Sequence, residues 1–327
     1  MRSEKCELKN ADDELMPART LSLAPVSSSI LLRVQNYDLA ATLNSGQAFR
    51  WREHHGGWQG VIGEHGVRLV QIPEGIHAEV AEPVKNWDWL RDFLQTEVDL
   101  TAILKTLPDD APMRAAVAAC HGLRVLRQDP WECLASFILS STKQIVQIGQ
   151  IISLLCERFG EPVAVSPGEP RAFAFPAPEK IAAVTEADLR ACKMGFRAPH
   201  LLAAARQIAN GKFDPDRPYH LPLAEARVEL MKLRGVGGKI ADCVLLFAYG
   251  FDAAFPVDVW VERALRRLYF PRRRITAKRL RHFAATHFGP HAGHAQQYLF
   301  HYMRTKMNYA RVKTAKLAEK PRSLPSR

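Results

Sequence analysis

The stretch Leu233-Arg234-Gly235-Val236-Gly237-Gly238-Lys239 brings a primary amine to the start of an apolar helix. An apolar helix precedes it, so the glycines join two helices in a hairpin. Glycine permits positive φ and lets backbone come close to a ligand. The N–H groups that open the second helix have no partner within it and suit a phosphate. An ordinary tight turn is the plain alternative. Lys239 falls in the first turn of the second helix, where a cation opposes the helix dipole. That is a poor structural choice unless the positive field is there to favour the neutral amine. Cys243 is four residues on and shares its face. The run Val244 to Tyr249 is apolar, so the helix is buried. A lysine at the mouth of a buried helix can lose its charge and become a nucleophile. Asp258 follows in Phe255-Pro256-Val257-Asp258-Val259-Trp260, directly before an amphipathic helix. Taken alone it reads as an N-cap. A capping carboxylate is also held rigid, which a catalytic carboxylate requires.

The elements that must position these groups fall into two kinds. The first part of the chain is strand-rich. Ile30 to Val34 is apolar, and Phe49 and Trp51 alternate with Arg50 and Arg52. Turn signals follow at Gly56-Gly57, Gly63 to Gly66 and Pro73 to Gly75. This spacing predicts an antiparallel meander that ends near Pro83. Helical periodicity then takes over, with Trp87, Leu90, Phe93 and Leu94 on one face. Helices are expected from Pro112 almost continuously to Lys306, with Gly160 to Pro178 as a surface loop. The fold class is α+β: a small antiparallel sheet domain, then a larger helical domain. The expected division is a disordered tail at 1–28, a sheet-plus-helix domain at 29–108, a helical domain at 109–306 and a basic tail at 307–327.

The formal net charge of +11 concerns partners rather than fold and points to an anionic polymer. Arg263, Arg266, Arg267, Arg272, Arg273, Arg274, Lys278, Arg279 and Arg281 fall in one short stretch. Six scattered cysteines form no C-x-x-C pair and fit reduced thiols in an intracellular protein. His287, His291 and His294 are close, but Gly289 and Pro290 interrupt the helix that would align the first two. No metal or cofactor is expected. No apolar stretch is long enough to cross a bilayer, so no membrane partner is expected.

G-V-G-G-K, then A-D-C, then P-V-D-V about a helix later, resembles the HhH-GPD superfamily of DNA glycosylases, and more closely the 8-oxoguanine DNA glycosylase/AP lyase family. Further matches are Ser45-Gly46-Gln47-Ala48-Phe49-Arg50-Trp51, Arg127-Gln128-Asp129-Pro130, Gly195-Phe196-Arg197-Ala198, and Gly289-Pro290 through Ala295-Gln296 to Leu299-Phe300. They run in family order from about Leu31 to Lys306. The resemblance implies a monomeric, intracellular enzyme on double-stranded DNA containing oxidised guanine. It implies Lys239 as the nucleophile at the sugar C1′, giving a Schiff base and then β-elimination, with Asp258 stabilising positive charge on the sugar. It places the flipped base between Cys243 and Phe300. Gln296 reads its Watson–Crick edge, and the Gly46 carbonyl accepts the N7–H that 8-oxoguanine has and guanine lacks. Read singly, Cys243 and Phe300 are core, Gln296 a surface amide and Gly46 a turn residue; their joint fall on family positions carries the assignment. Gly235, Val236 and Gly237 are implied to bind the DNA backbone.

This sequence departs from the family around the base opposite the lesion. Ser140-Ser141 is followed by Thr142 rather than asparagine. Gln147 stands at the position of an arginine that contacts the opposite cytosine. Phe196 replaces a tyrosine wedge, Arg197 is kept, and Arg234 replaces a proline. These changes imply a relaxed opposite-base preference. Endonuclease III-type enzymes carry a four-cysteine iron–sulfur loop after the helical core, and no cysteine follows Cys243 here. Alkylated-base glycosylases lack the lysine. A non-catalytic hairpin protein that binds or senses damaged DNA would need neither Lys239 nor Asp258.

Overall fold

A computed structural model describes residues 27–141 and 143–318, with side chains of 306–318 and of Ala277 left aside. Strand β1 (Ser28–Leu32) is followed by a short helix, α1 (Leu39–Asn44). Strands β2 (Arg52–His54), β3 (Gly57–Ile62), β4 (His65–Ile72) and β5 (Gly75–Val80) then form the expected meander. The sheet order is β1-β5-β4-β3-β2, antiparallel throughout, so β1 closes the meander at β5. The β2–β3 connection is the two-residue turn His55-Gly56, with φ positive at both, which matches the twist of the flanking strands. Alternate residues Val67 and Leu69 on β4, and Ile76, Ala78 and Val80 on β5, are buried. They meet Leu90 and Leu94 of α2 (Asp88–Leu94) and Leu126 in one core.

The helical part comprises α3 (Leu100–Lys105), α4 (Ala111–Ala119), α5 (Pro130–Leu139) and α6 (Ile145–Phe159). After a two-stranded ribbon come α7 (Pro178–Ala182), α8 (Glu186–Ala191), α9 (Ala198–Ala209) and α10 (Leu223–Leu230). Helices α11 (Gly238–Phe247), α12 (Val259–Tyr269), α13 (Ala277–His287) and α14 (Ala292–Ala318) complete it. Two apolar clusters hold these helices. One joins α5, α6, α9 and α11 through Phe137, Ile151, Leu201, Cys243 and Leu246. The other joins α4, α12, α13 and α14 through Met113, Leu265, Leu280, Leu299 and Phe300.

Four sequence expectations need correction. Strand β2 starts only at Arg52, because Arg50 turns inward to pair with Glu132 at 2.9 Å and to donate to the Phe173 carbonyl. The segment Gly160 to Pro178 is not all loop. It pairs β6 (Pro162–Val163) with β7 (Ala172–Phe173), and Phe173 and Phe175 pack on the helical core. Helix α14 continues past Lys306 to Ala318, through a run without Gly or Pro that is rich in helix formers. The expected basic tail therefore begins as helix. Ser28, placed in the N-terminal tail, opens β1. Residues 1–26 and 319–327 of the two expected tails, like Thr142, lie outside the described residues.

Candidate active site

The hairpin between α10 and α11 is built around two plugs and a turn. Leu233 and Val236 are buried, 1% and 6% exposed. Between them Gly235 has φ +87°, and a Cβ there would stand 2.7 Å from the His200 side chain. Only glycine fits that position without strain. Gly237 is the N-cap of α11 and offers no side-chain cap. A Cβ on Gly237 or Gly238 would meet nothing within 4 Å, so the start of α11 opens onto free space. Arg227 of α10 donates to Asp242 of α11 at 2.6 Å and locks the two helices together. Burial pushes the Asp242 carboxyl above the usual carboxylate range, against the pull of Arg227.

Lys239 lies in the first turn of α11 and is half-buried. Its Nζ donates to Ser140 Oγ at 3.4 Å and sits 5.0 Å from the centre of the Phe137 ring. One turn along, burial raises the Cys243 thiol to about 11, opposed by Lys239. Cys243 is thus a neutral thiol near pH 7 and supplies no anion to pin the amine. Asp258 caps α12 as expected. Its Oδ1 accepts from the N–H groups of Trp260 (2.9 Å) and Val261 (2.8 Å). Two donors on one oxygen fix the carboxylate and leave Oδ2 free of the helix. Lys239 and Asp258 act on the Cys243 thiol with opposite sign, which places all three in one locality.

The other wall comes from α14 and the turn after α1. Gln296 and Phe300 lie one turn apart on α14, 4% and 9% exposed. Gln296 Oε1 is buried and has no hydrogen-bond partner among the described residues. A buried amide oxygen left this way costs about 1–3 kcal/mol, so the arrangement favours an incoming donor. Gly46 has φ +78°, and a Cβ there would stand 2.7 Å from Ile145 Cδ1 and 3.3 Å from Phe300 Cε1. Gly46 therefore lines the same space as Phe300. The next residue, Gln47, is fully buried and clamped. Its Nε2 donates to the carbonyls of Thr42 and Arg124, and its Oε1 accepts from Leu126 N–H.

The residues expected beside the opposite base differ in exposure and in what holds them. Gln147 is exposed at the start of α6, and its Oε1 accepts from Gln144 N–H at 3.2 Å. Phe196 is 56% exposed. Arg197 is buried beneath it, its guanidinium 4.2 Å from the Phe196 ring centre. Arg197 donates to the carbonyls of Met194 and Ser141. It stiffens the turn that presents Phe196. Of the basic run, Arg263, Arg267, Arg272, Arg273, Arg274, Lys278, Arg279 and Arg281 are exposed on and between α12 and α13, while Arg266 pairs with Glu262. The sequence reading did not single out Phe137 as Lys239's aromatic neighbour, nor Gln297 and Arg304 on α14. The Ser140-Ser141 pair was the one local signal for Lys239's acceptor.

The chain is similar to known base excision repair proteins. Residues 29–134 match the 8-oxoguanine DNA glycosylase N-terminal domain, and residues 135–289 match the HhH-GPD superfamily of base excision DNA repair proteins. The N-glycosylase/DNA lyase of Saccharomyces cerevisiae is 32% identical over 71% of this chain and 68% of its own length. The probable N-glycosylase/DNA lyase of Methanothermobacter thermautotrophicus is 30% identical over 83% of this chain and 95% of its own. The crystal structure of the Clostridium acetobutylicum 8-oxoguanine glycosylase/lyase, in complex with DNA containing cytosine opposite 8-oxoguanine, superposes with a TM-score of 0.77. It is 33% identical and covers 83% of this chain and 93% of that one.

Proposed function

Since the chain belongs to the 8-oxoguanine DNA glycosylase/AP lyase family of the HhH-GPD superfamily, and is a DNA glycosylase with associated lyase activity, we propose that it excises 8-oxoguanine, and ring-opened guanine lesions, through Lys239 and Asp258. What supports this reading is that Lys239 and a fixed Asp258 carboxylate both act on the Cys243 thiol, while Gly46 and Phe300 line one space and Gln296 Oε1 is buried without a described partner. The hairpin N–H groups take a backbone phosphate. The lesion leaves the stack, at a cost of a few kcal/mol, and enters between Cys243 and Phe300. Gln296 answers its Watson–Crick edge. The Gly46 carbonyl accepts its N7–H.

The chemistry then follows from the two polar groups. Lys239 Nζ attacks C1′ through its lone pair. The Nζ–C1′ bond forms as the bond from C1′ to the base breaks; the base leaves with that electron pair and takes up the proton that the new Nζ–C1′ ammonium sheds. Asp258 faces the positive charge that develops on the sugar ring before the new bond is complete. The nitrogen lone pair then expels O4′ from C1′, O4′ takes up a proton from water, and the resulting protonated imine makes the neighbouring C2′ proton acidic. Its loss expels the 3′ phosphate. The test is a denaturing-gel assay on otherwise identical duplexes with 8-oxoguanine or guanine at one position. Base release and strand cleavage confined to the lesion strand are expected. Binding to both duplexes with neither product would leave the non-catalytic reading.

Two narrower expectations attach to this reading. Gly46→Ala forces a left-handed alanine, at about 1–2 kcal/mol, and sets a methyl against Ile145 and Phe300. Lesion binding should fall roughly tenfold, as for one lost buried hydrogen bond, with binding to undamaged duplex unchanged. An unaltered lesion-to-normal ratio would place recognition elsewhere.

The second expectation concerns the opposite base. Cytosine presents an acceptor edge, and an arginine fork is worth about 1–3 kcal/mol there. Gln147 is neutral and shorter, and Arg197 is occupied by backbone carbonyls. Excision from four duplexes that differ in the opposite base should therefore show less than about a hundredfold preference for cytosine, roughly 2.7 kcal/mol. Gln147→Arg should sharpen it.

A further inference from the structure

The carbonyls of residues 44 to 47 form the rim of the proposed lesion pocket, and three of the four are tied down. Asn44 O accepts from Arg304 Nη1 at 3.2 Å. Ser45 O accepts from Gln297 Nε2 at 3.1 Å. Gln47 O accepts from Gln128 Nε2 at 2.8 Å. Gly46 O accepts from no described residue. A glycine at positive φ has the widest choice of ψ of any residue, so its carbonyl has no direction of its own. Direction must come from the peptide planes on either side. Two of the tethers come from α14, the helix that also carries Gln296 and Phe300. Arg304, one turn beyond Phe300, lies with its guanidinium 5.4 Å from that ring's centre. Its Nη1 is 3.3 Å from the place a Gly46 Cβ would occupy.

We infer that Gln297 and Arg304 are positioning residues for lesion recognition: by holding the Asn44 and Ser45 carbonyls they aim the Gly46 carbonyl into the pocket. This rests on the reading of Gly46 as the acceptor for the lesion's N7–H. The tethers register the acceptor wall to the helix bearing the stacking ring, so acceptor and ring keep one spacing. An acceptor aimed in advance needs no reorganisation when the base arrives. Gln297 is 2% exposed, so this donor is shielded from water and its loss is not made good by solvent. Arg304 also lies within electrostatic reach of Asp258. Gln297 changes no charge and is the cleaner of the two to vary.

The test uses the full chain with Gln297→Met, Arg304→Met and Arg304→Lys. Two rates are compared in each protein: single-turnover excision of 8-oxoguanine, and cleavage at a preformed abasic site, which needs Lys239 but has no base to read. Both methionine variants should lower the ratio of excision to abasic-site cleavage by about three- to tenfold, the scale of one hydrogen bond. Arg304→Lys keeps a donor and should recover most of the loss. The lesion-to-normal binding ratio should fall with the excision ratio. An unchanged ratio in both methionine variants would overturn the inference, and so would an equal fall in both rates, which signals a structural role. If Gln297→Met does not fold, the Arg304 pair still decides. Gly46→Ala separates the two levels. A fall there with no change in the methionine variants removes only this inference. No change at Gly46 removes the reading beneath it.

Discussion

Borohydride should trap the protein covalently on 8-oxoguanine duplex, and Lys239→Gln should abolish the adduct. Only reduction of the imine leaves the protein joined to the sugar through a stable C–N bond, so the trapped adduct reports the attacking amine directly. Strand cleavage by Lys239→Gln should fall by at least about 10³-fold, the scale on which removal of a nucleophile acts. The structure supplies an internal control. Lys239 stands in the first turn of α11, where a positive charge would face the positive end of the helix dipole. Its Nζ makes one long hydrogen bond to Ser140, lies against the Phe137 ring face and interacts with the Cys243 thiol. A neutral glutamine relieves the dipole conflict, so thermal stability should hold or rise slightly. Equal trapping by the glutamine variant would show that another amine forms the imine. A large drop in melting temperature would show that Lys239 holds the fold.

The parts of this site that were legible in sequence are those set by local rules. Helix α12 runs over Val259–Tyr269 as expected, because Asp258 announces its start and the apolar spacing its face. Asp129 caps α5 in the same way, with Pro130 at its first position. The hairpin showed itself because glycine spacing has a steric cause at Gly235. What could not be read came from tertiary contact. Arg50 alternates with Phe49 and Trp51 like a strand residue, yet pairs with Glu132 more than eighty residues away. Helix α1 is only six residues long, too short for a period, and the Asp38 cap was its one signal. Gln297 sits beside Gln296 in sequence, but which amide faces the pocket and which ties down Ser45 depends on how α14 is rotated against α1. The basic character of residues beyond Lys306 suggested a tail, while their helix-forming composition extended α14 instead.

Asp258→Asn should slow single-turnover excision by about 10²–10³-fold while leaving lesion binding within a few-fold of wild type. The substitution discriminates because the cap and the proposed stabilisation of sugar charge would fall on different atoms. Oδ1 accepts the N–H groups of Trp260 and Val261, and an asparagine Oδ1 can accept both in the same place. Asn caps helices as well as Asp. The melting temperature should therefore shift by no more than about 2–4 °C, the equivalent of 1 kcal/mol for a protein of this size. At the second position an NH₂ replaces a carboxylate oxygen. A positive partner dipole then faces the sugar where an anion stood. Positive charge on the sugar is absent in the bound duplex and develops only as the bond to the base breaks. The loss thus belongs to the transition state and should appear in the excision rate rather than in binding. Removal of one fixed electrostatic partner costs about 2.7–4 kcal/mol in comparable sites, which is the stated range. Excision near the wild-type rate, with the cap intact, would leave Asp258 as the start of α12 and nothing more. A loss confined to binding would move its action to the ground state, and the sugar cation would then need a different counter-charge.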